Sequence, residues 1–158
     1  MRHLILIFAA SFCIAAACNK EHLPEYYFEC KLDGKEYVPD NCANCRRSII
    51  LGDTVLLINA NRGFEVIGFG IVDQPIEKTT YLLNHERTKH SADYDNTIGN
   101  PSDIFRTDSI RIGQLTITSL DKVNKIIAGS FSFVAYNVEQ NKTVNVTEGK
   151  FRLQYKIN

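Results

Sequence analysis

The stretch Phe151-Arg152-Leu153-Gln154-Tyr155-Lys156-Ile157 decides the fold class. Its apolar residues alternate strictly with polar ones, the period-two pattern of a strand with one buried and one wet face. Just upstream, Glu148-Gly149 shifts that alternation out of phase with Val144 and Val146, as a bulge or tight corner does. Residues 126–136 read as a long partner strand with Phe131, Phe133 and Ala135 on one side, and 137–141 as the turn between the two.

The same period recurs towards the amino terminus. Phe28, Cys30 and Leu32 alternate with Glu29 and Lys31, and Asp33-Gly34 supplies the two positive-φ residues of a tight hairpin whose return arm is 35–38. Residues 54–60 are apolar on both faces, which predicts a central strand, and Asn61-Arg62-Gly63 turns it. In the next segment Ile67, Phe69 and Ile71 share one face, while Val66, Gly68, Gly70 and Val72 share the other. Gly68 and Gly70 therefore leave a shallow groove, either packed over by a neighbouring side chain or open to a ligand. A short strand follows at 81–83.

Residues 84–107 are too long for a structureless connection, so short strands are expected near 91–94 and 104–107. Ile110 and Ile112 alternate as a strand would, and the phase slips at Gly113-Gln114 before Leu115 and Ile117. No stretch after Cys18 shows helical periodicity. The class is all-β: an antiparallel sandwich or partly open barrel of about ten short strands, forming one domain over residues 26–158.

Arg2 and His3 precede an apolar run that ends in Ala15-Ala16-Ala17-Cys18. The run is shorter than the ~20 residues of a membrane-spanning helix. It resembles a bacterial lipoprotein signal peptide with its lipobox. The resemblance implies cleavage after residue 17, acylation of Cys18, and a tether over residues 18–25. With no aspartate following Cys18, it also implies the outer membrane, on the periplasmic side or at the cell surface. The membrane is then a partner through acylated Cys18, and more than one acyl chain, palmitate among them, makes the anchoring stable. The 18 basic and 18 acidic side chains lose only Arg2 on cleavage, a net charge near −1 that attracts no nucleic acid.

Three segments in the carboxyl-terminal half carry a second resemblance: Gly113-Gln114-Leu115-Thr116-Ile117-Thr118, Ala128-Gly129-Ser130-Phe131-Ser132-Phe133 and Glu148-Gly149-Lys150-Phe151. With the Asp33-Gly34 hairpin and the amino-terminal signal, they make the chain similar to the small Bacteroidota lipoproteins of unknown function. That family implies a β-domain and no catalytic residue.

Cys30, Cys42 and Cys45 remain after cleavage, and an oxidising envelope favours a disulfide between Cys30 and either Cys42 or Cys45. It would close a loop of about 13 to 16 residues, worth roughly 3 kcal/mol. Cys42-x-x-Cys45 lacks the helix that activates a redox pair, and no histidine sits at finger-like spacing for zinc. His85 and His90 are five apart, where a zincin helix needs four, and are expected in solvent. Asp93-Tyr94-Asp95 lacks the acidic twelfth position of a calcium loop. No nucleophile elbow, phosphate loop or dinucleotide fingerprint is present.

No cofactor, metal or catalytic residue is expected. The function read from these features is membrane display of a non-enzymatic β-domain that binds a small apolar ligand, a glycan or a protein partner. Its contact is the Gly68/Gly70 face or the 84–107 segment. The competing reading is an envelope hydrolase or thiol-redox enzyme without a recognisable motif.

Overall fold

The computed structural model describes residues 26–39, 50–97 and 102–157. Twelve strands and one helical turn follow one another along these residues: β1 (Tyr27–Leu32), β2 (Lys35–Tyr37), β3 (Ile50–Leu51), β4 (Val55–Arg62), β5 (Glu65–Val72), β6 (Thr80–Leu83), α1 (His85–Thr88), β7 (Ser91–Asp95), β8 (Ile104–Arg106), β9 (Gly113–Asp121), β10 (Ile126–Asn137), β11 (Lys142–Gln154) and β12 (Lys156–Ile157). They form one curled sheet in the order β12-β3-β4-β5-β7-β8-β10-β11-β1-β2, with β9 on β10 and β6 on β9. All pairings are antiparallel except β12 with β3. Of the two expected architectures, the molecule adopts the partly open barrel.

The curl nearly closes because β11 and β12 are consecutive. After Gln154 the chain breaks at Tyr155 and the next two residues pair with β3, so the same run that borders β10 and β1 returns to the far end of the sheet. Among the described residues no ladder joins β2 to β4. Side chains bridge the gap instead: the Tyr37 hydroxyl lies 2.8 Å from the Ala60 carbonyl oxygen and 3.0 Å from that of Glu65, and Arg62 donates to the Glu36 carbonyl oxygen. Arg62 also covers the Tyr37 ring and pairs with Glu65, whose carboxylate accepts from the Tyr94 hydroxyl. This network ties β2 to β4 and β5, and through Tyr94 to β7.

Bulges give the long strands their curvature. Glu148 takes positive φ and the register slips there on both flanks, between Phe131 and Phe133 and between Glu29 and Lys31. Gly149 follows because a Cβ there would sit 2.6 Å from the Phe131 carbonyl oxygen. The shift turns Phe151 and Leu153 inward beside Val144 and Val146. At the β1–β2 turn, Asp33 and Gly34 both have positive φ, and the Asn145 N–H donates to the Asp33 carboxylate, which fixes the strained aspartate.

Inside, the rings of Phe28, Phe69, Phe131 and Phe151 lie with centroids 4.7 to 6.3 Å apart. Leu56, Ile58, Ile67, Ile71, Ile127 and Leu153 pack around them, all essentially fully buried. Burial of each such side chain contributes about 1.5–3 kcal/mol, so this cluster holds the curled sheet together. The barrel is filled by its own side chains at this level.

The strand expected over 54–60 is central, lying between β3 and β5; Leu56, Ile58 and Ala60 point inward, while Val55, Leu57 and Asn59 take the outer face, which turns polar at Asn59. The hairpin turns at residues 63–64, since Arg62 still pairs with Glu65. Ile110 and Ile112 are exposed loop residues, because Asp108 accepts from the Ile110 and Arg111 N–H groups and curls the chain into a turn before β9 begins. The helical turn α1 has no counterpart in the hydrophobic periodicity of the sequence. It is four residues long, capped by the Asn84 side chain and ended by Lys89 at positive φ.

Strand direction gives the barrel two ends. The first described residue, Tyr26, lies at the end that carries turn 122–125, as the alignment of Tyr27 with Arg152 and of Ala128 with Arg152 requires. Turns 33–34, 63–64 and 138–141 gather at the other end.

Candidate functional site

The cross-strand register assembles a polar row on the outer face of β4, β5, β7, β8 and β10. Asn59 stands opposite Gly68, Gly68 opposite Asp93, Asp93 opposite Arg106, and Arg106 opposite Tyr136. Their strand neighbours Ile58, Phe69, Tyr94, Phe105 and Ala135 are buried, so the period of two places all five row residues outward.

Gly68 is the low point of the row. A Cβ there would meet Asn59 Oδ1 at 2.6 Å and both Asp93 carboxylate oxygens at 3.1 Å, so these acceptors lean together over the glycine from either side. Gly70, one pleat away, is covered by a Leu57 methyl instead. The covering groups of the groove read from the sequence are therefore Leu57, Asn59 and Asp93.

Burial raises the Asp93 carboxyl above its ordinary range, and the positive charge of Arg106 only partly offsets this. Beyond their ladder bonds, neither the Asp93 nor the Arg106 side chain forms a hydrogen bond or an ion pair within 4 Å among the described residues. Beyond Arg106 the row opens into a cleft of about 280 Å³ lined by Ser102, Ile104, Arg106, Tyr136, Val138 and Glu139, among others. The Arg111 guanidinium lies 3.7 Å over the Tyr136 ring and pairs with Asp108 at 2.7 Å. The Tyr136 hydroxyl donates to Asn141. Tyr136 is thus held in one orientation at the cleft wall.

Cys30 faces the core as a free, buried thiol. Burial pushes its pKa up to about 12, with the positive charge of Arg62 opposing the shift, so little thiolate forms at neutral pH. The expected pairing to Cys42 or Cys45 falls on positions outside the described residues, as does acylation at Cys18.

The expectation that both histidines are solvated is corrected at His90. His85 is exposed, but His90 is 3% exposed, accepts the Val72 N–H at Nδ1 and meets Gln74 at Nε2. It lies one residue past α1, after the cap Lys89, and turns inward against the Tyr81 ring, so its role is structural. Asp93, Tyr94 and Asp95 belong to β7 and form no calcium loop. Among the described residues no group of three or more His, Cys, Asp or Glu side chains could hold a metal ion.

Reading the sequence missed Asn59, Asp93, Arg106 and Tyr136 as one surface. They come from four strands spread over almost half of the chain, and no spacing links them.

The fold and this surface define a small all-β domain of partly open barrel type with a solid aromatic core and an outward polar face. The chain belongs to the family described as a domain of unknown function, DUF6252, whose model matches residues 28–153. No curated protein and no solved structure matches it.

Proposed function

We propose that the protein is an outer-membrane lipoprotein, acylated at Cys18, that displays its β-domain as a non-enzymatic binding module. The observation that carries this reading is the stretch Ile14-Ala15-Ala16-Ala17-Cys18 behind a basic start and an apolar run too short to span a bilayer. The position of Tyr26 supports it. The tether would reach the domain at that end and leave turns 33–34, 63–64 and 138–141, with exposed Phe64 and Val138, pointing away from the membrane.

The character of the domain supports surface binding over carriage or catalysis. Four phenylalanine rings occupy the space an apolar cargo would need. The buried thiol of Cys30 is held protonated, and His90 has both ring nitrogens engaged, so neither is poised as a nucleophile or base.

Replacing Cys18 with serine tests the anchor. The native chain should stay in the membrane fraction through washing at high salt, and the Cys18→Ser chain should not become acylated or stay there. Retention of the serine variant in washed membranes would refute the anchor. External protease on intact cells then separates surface from periplasmic display.

A further inference from the structure

We propose that the outward face of β4, β5, β7, β8 and β10 binds a neutral oligosaccharide, centred on Asp93 and Arg106 and ending in the cleft beside Tyr136. This names the ligand class for the binding role proposed above and rests on it.

The row from Asn59 to Tyr136 crosses four strand gaps, about 19 Å at the usual inter-strand spacing, which is long enough for several sugar rings. Along it two acceptors are followed by a donor, and among the described residues no side-chain hydrogen bond engages Asn59, Asp93 or Arg106. Asn59 Oδ1 and the Asp93 carboxylate converge over Gly68, and the Arg106 fork comes next. A hydroxyl both donates and accepts, so a chain of hydroxyls can serve an acceptor pair and then a guanidinium. Asp93 is half-buried, so a ligand hydroxyl that donates to its carboxylate supplies a bond the described residues do not.

Charge argues for a neutral ligand. Arg106 lies between Asp93 and Glu139, and Arg111 is neutralised by Asp108. Such a surface carries no net positive field to hold a nucleic acid or a sulfated glycan. The cleft, at about 280 Å³, is near the lower limit of small-ligand sites, a volume suited to a single ring. Ile104, Val138 and the oriented Tyr136 supply apolar surface for the C–H face of a sugar, and Arg106 and Glu139 supply polar groups at its rim.

The test is calorimetric titration of the full chain, purified in a detergent without a sugar headgroup, with maltotetraose, cellotetraose and mannotetraose, and with a heparin tetrasaccharide for comparison. At least one neutral tetrasaccharide should bind. Arg106→Ala and Asp93→Asn should each weaken it by about tenfold or more, as expected for losing hydrogen bonds to charged groups. Arg87→Ala, on exposed α1, should leave it unchanged, and matching melting curves should show that Arg106→Ala still folds.

Binding of none of the three, binding that survives Arg106→Ala, or a preference for the heparin tetrasaccharide would overturn the proposal. A chain that stays membrane-anchored yet binds no sugar removes this inference alone. A chain that binds sugar but is not acylated at Cys18 removes only the anchor.

Discussion

The Tyr37 hydroxyl stands 2.8 Å from the carbonyl oxygen of Ala60, between β2 and β4, which no ladder joins among the described residues. Tyr37 is completely buried, and its ring lies under the Arg62 guanidinium at 4.4 Å. One side chain therefore joins the first hairpin to the β4–β5 hairpin by packing, by cation–π attraction and by a hydrogen bond. Tyr37→Phe should keep the first two and cost about 1–2 kcal/mol in urea unfolding. Tyr37→Ala should cost about 3–5 kcal/mol. Equal losses for both variants would show that the hydroxyl alone closes the gap.

The bulge at Glu148 gives a second expectation. A side chain at Gly149 would be driven into the Phe131 carbonyl oxygen and ring, which are backbone and packed core and cannot yield. Gly149→Ala should therefore destabilise by about 1–3 kcal/mol or more. Gly52→Ala should be near neutral, because nothing lies within 4 Å of its added methyl and its φ is not positive. Thermal melts of the two variants provide the comparison.

His90 makes stability depend on pH. Burial lowers its pKa in the folded state from the ordinary 6.5, and the charge of Asp73 only partly opposes this. The unfolded chain thus takes up a proton near pH 6.5 that the folded chain refuses. The contribution is fully present above about pH 6.5 and is lost as pH falls from there towards the folded value. Protonation would also cost Nδ1 its bond from the Val72 N–H. His90→Gln should flatten the fall in stability between pH 7 and 5. An unchanged slope in that window would show that His90 titrates as it does in solvent.

Cys30 should resist alkylation in the native protein and accept it once unfolded without reductant. Its thiol is buried and its pKa is pushed up to about 12 by that burial. Peptide mapping after iodoacetamide treatment distinguishes the outcomes. A Cys30 that stays unlabelled in urea without reductant is held in a disulfide, contrary to the free thiol of the structure.

Local patterns carried much of this fold into the sequence. The alternation around Phe151 and Leu153, the phase slip at Glu148-Gly149 and the Asp33-Gly34 turn were legible because each is set by neighbours in the chain: pleat, bulge and turn chemistry. The closure of the barrel was not. It depends on a two-residue parallel pairing of β12 with β3 and on one tyrosine hydroxyl, long-range contacts with no periodic signal. Ile110 and Ile112 misled because two alternating apolar residues also fit a loop held by an aspartate. The inward turn of His90 depends on the positive φ of Lys89 just before it. The face from Asn59 to Tyr136 exists only once five strands are in register, although Gly68 marked its floor.

The intact mass of the chain purified from the membrane fraction is the decisive measurement for the anchor proposed at Cys18. An anchored chain begins at Cys18 and carries the added mass of its acyl chains. A chain that begins at Cys18 with no added mass, or that begins elsewhere, would contradict the anchor.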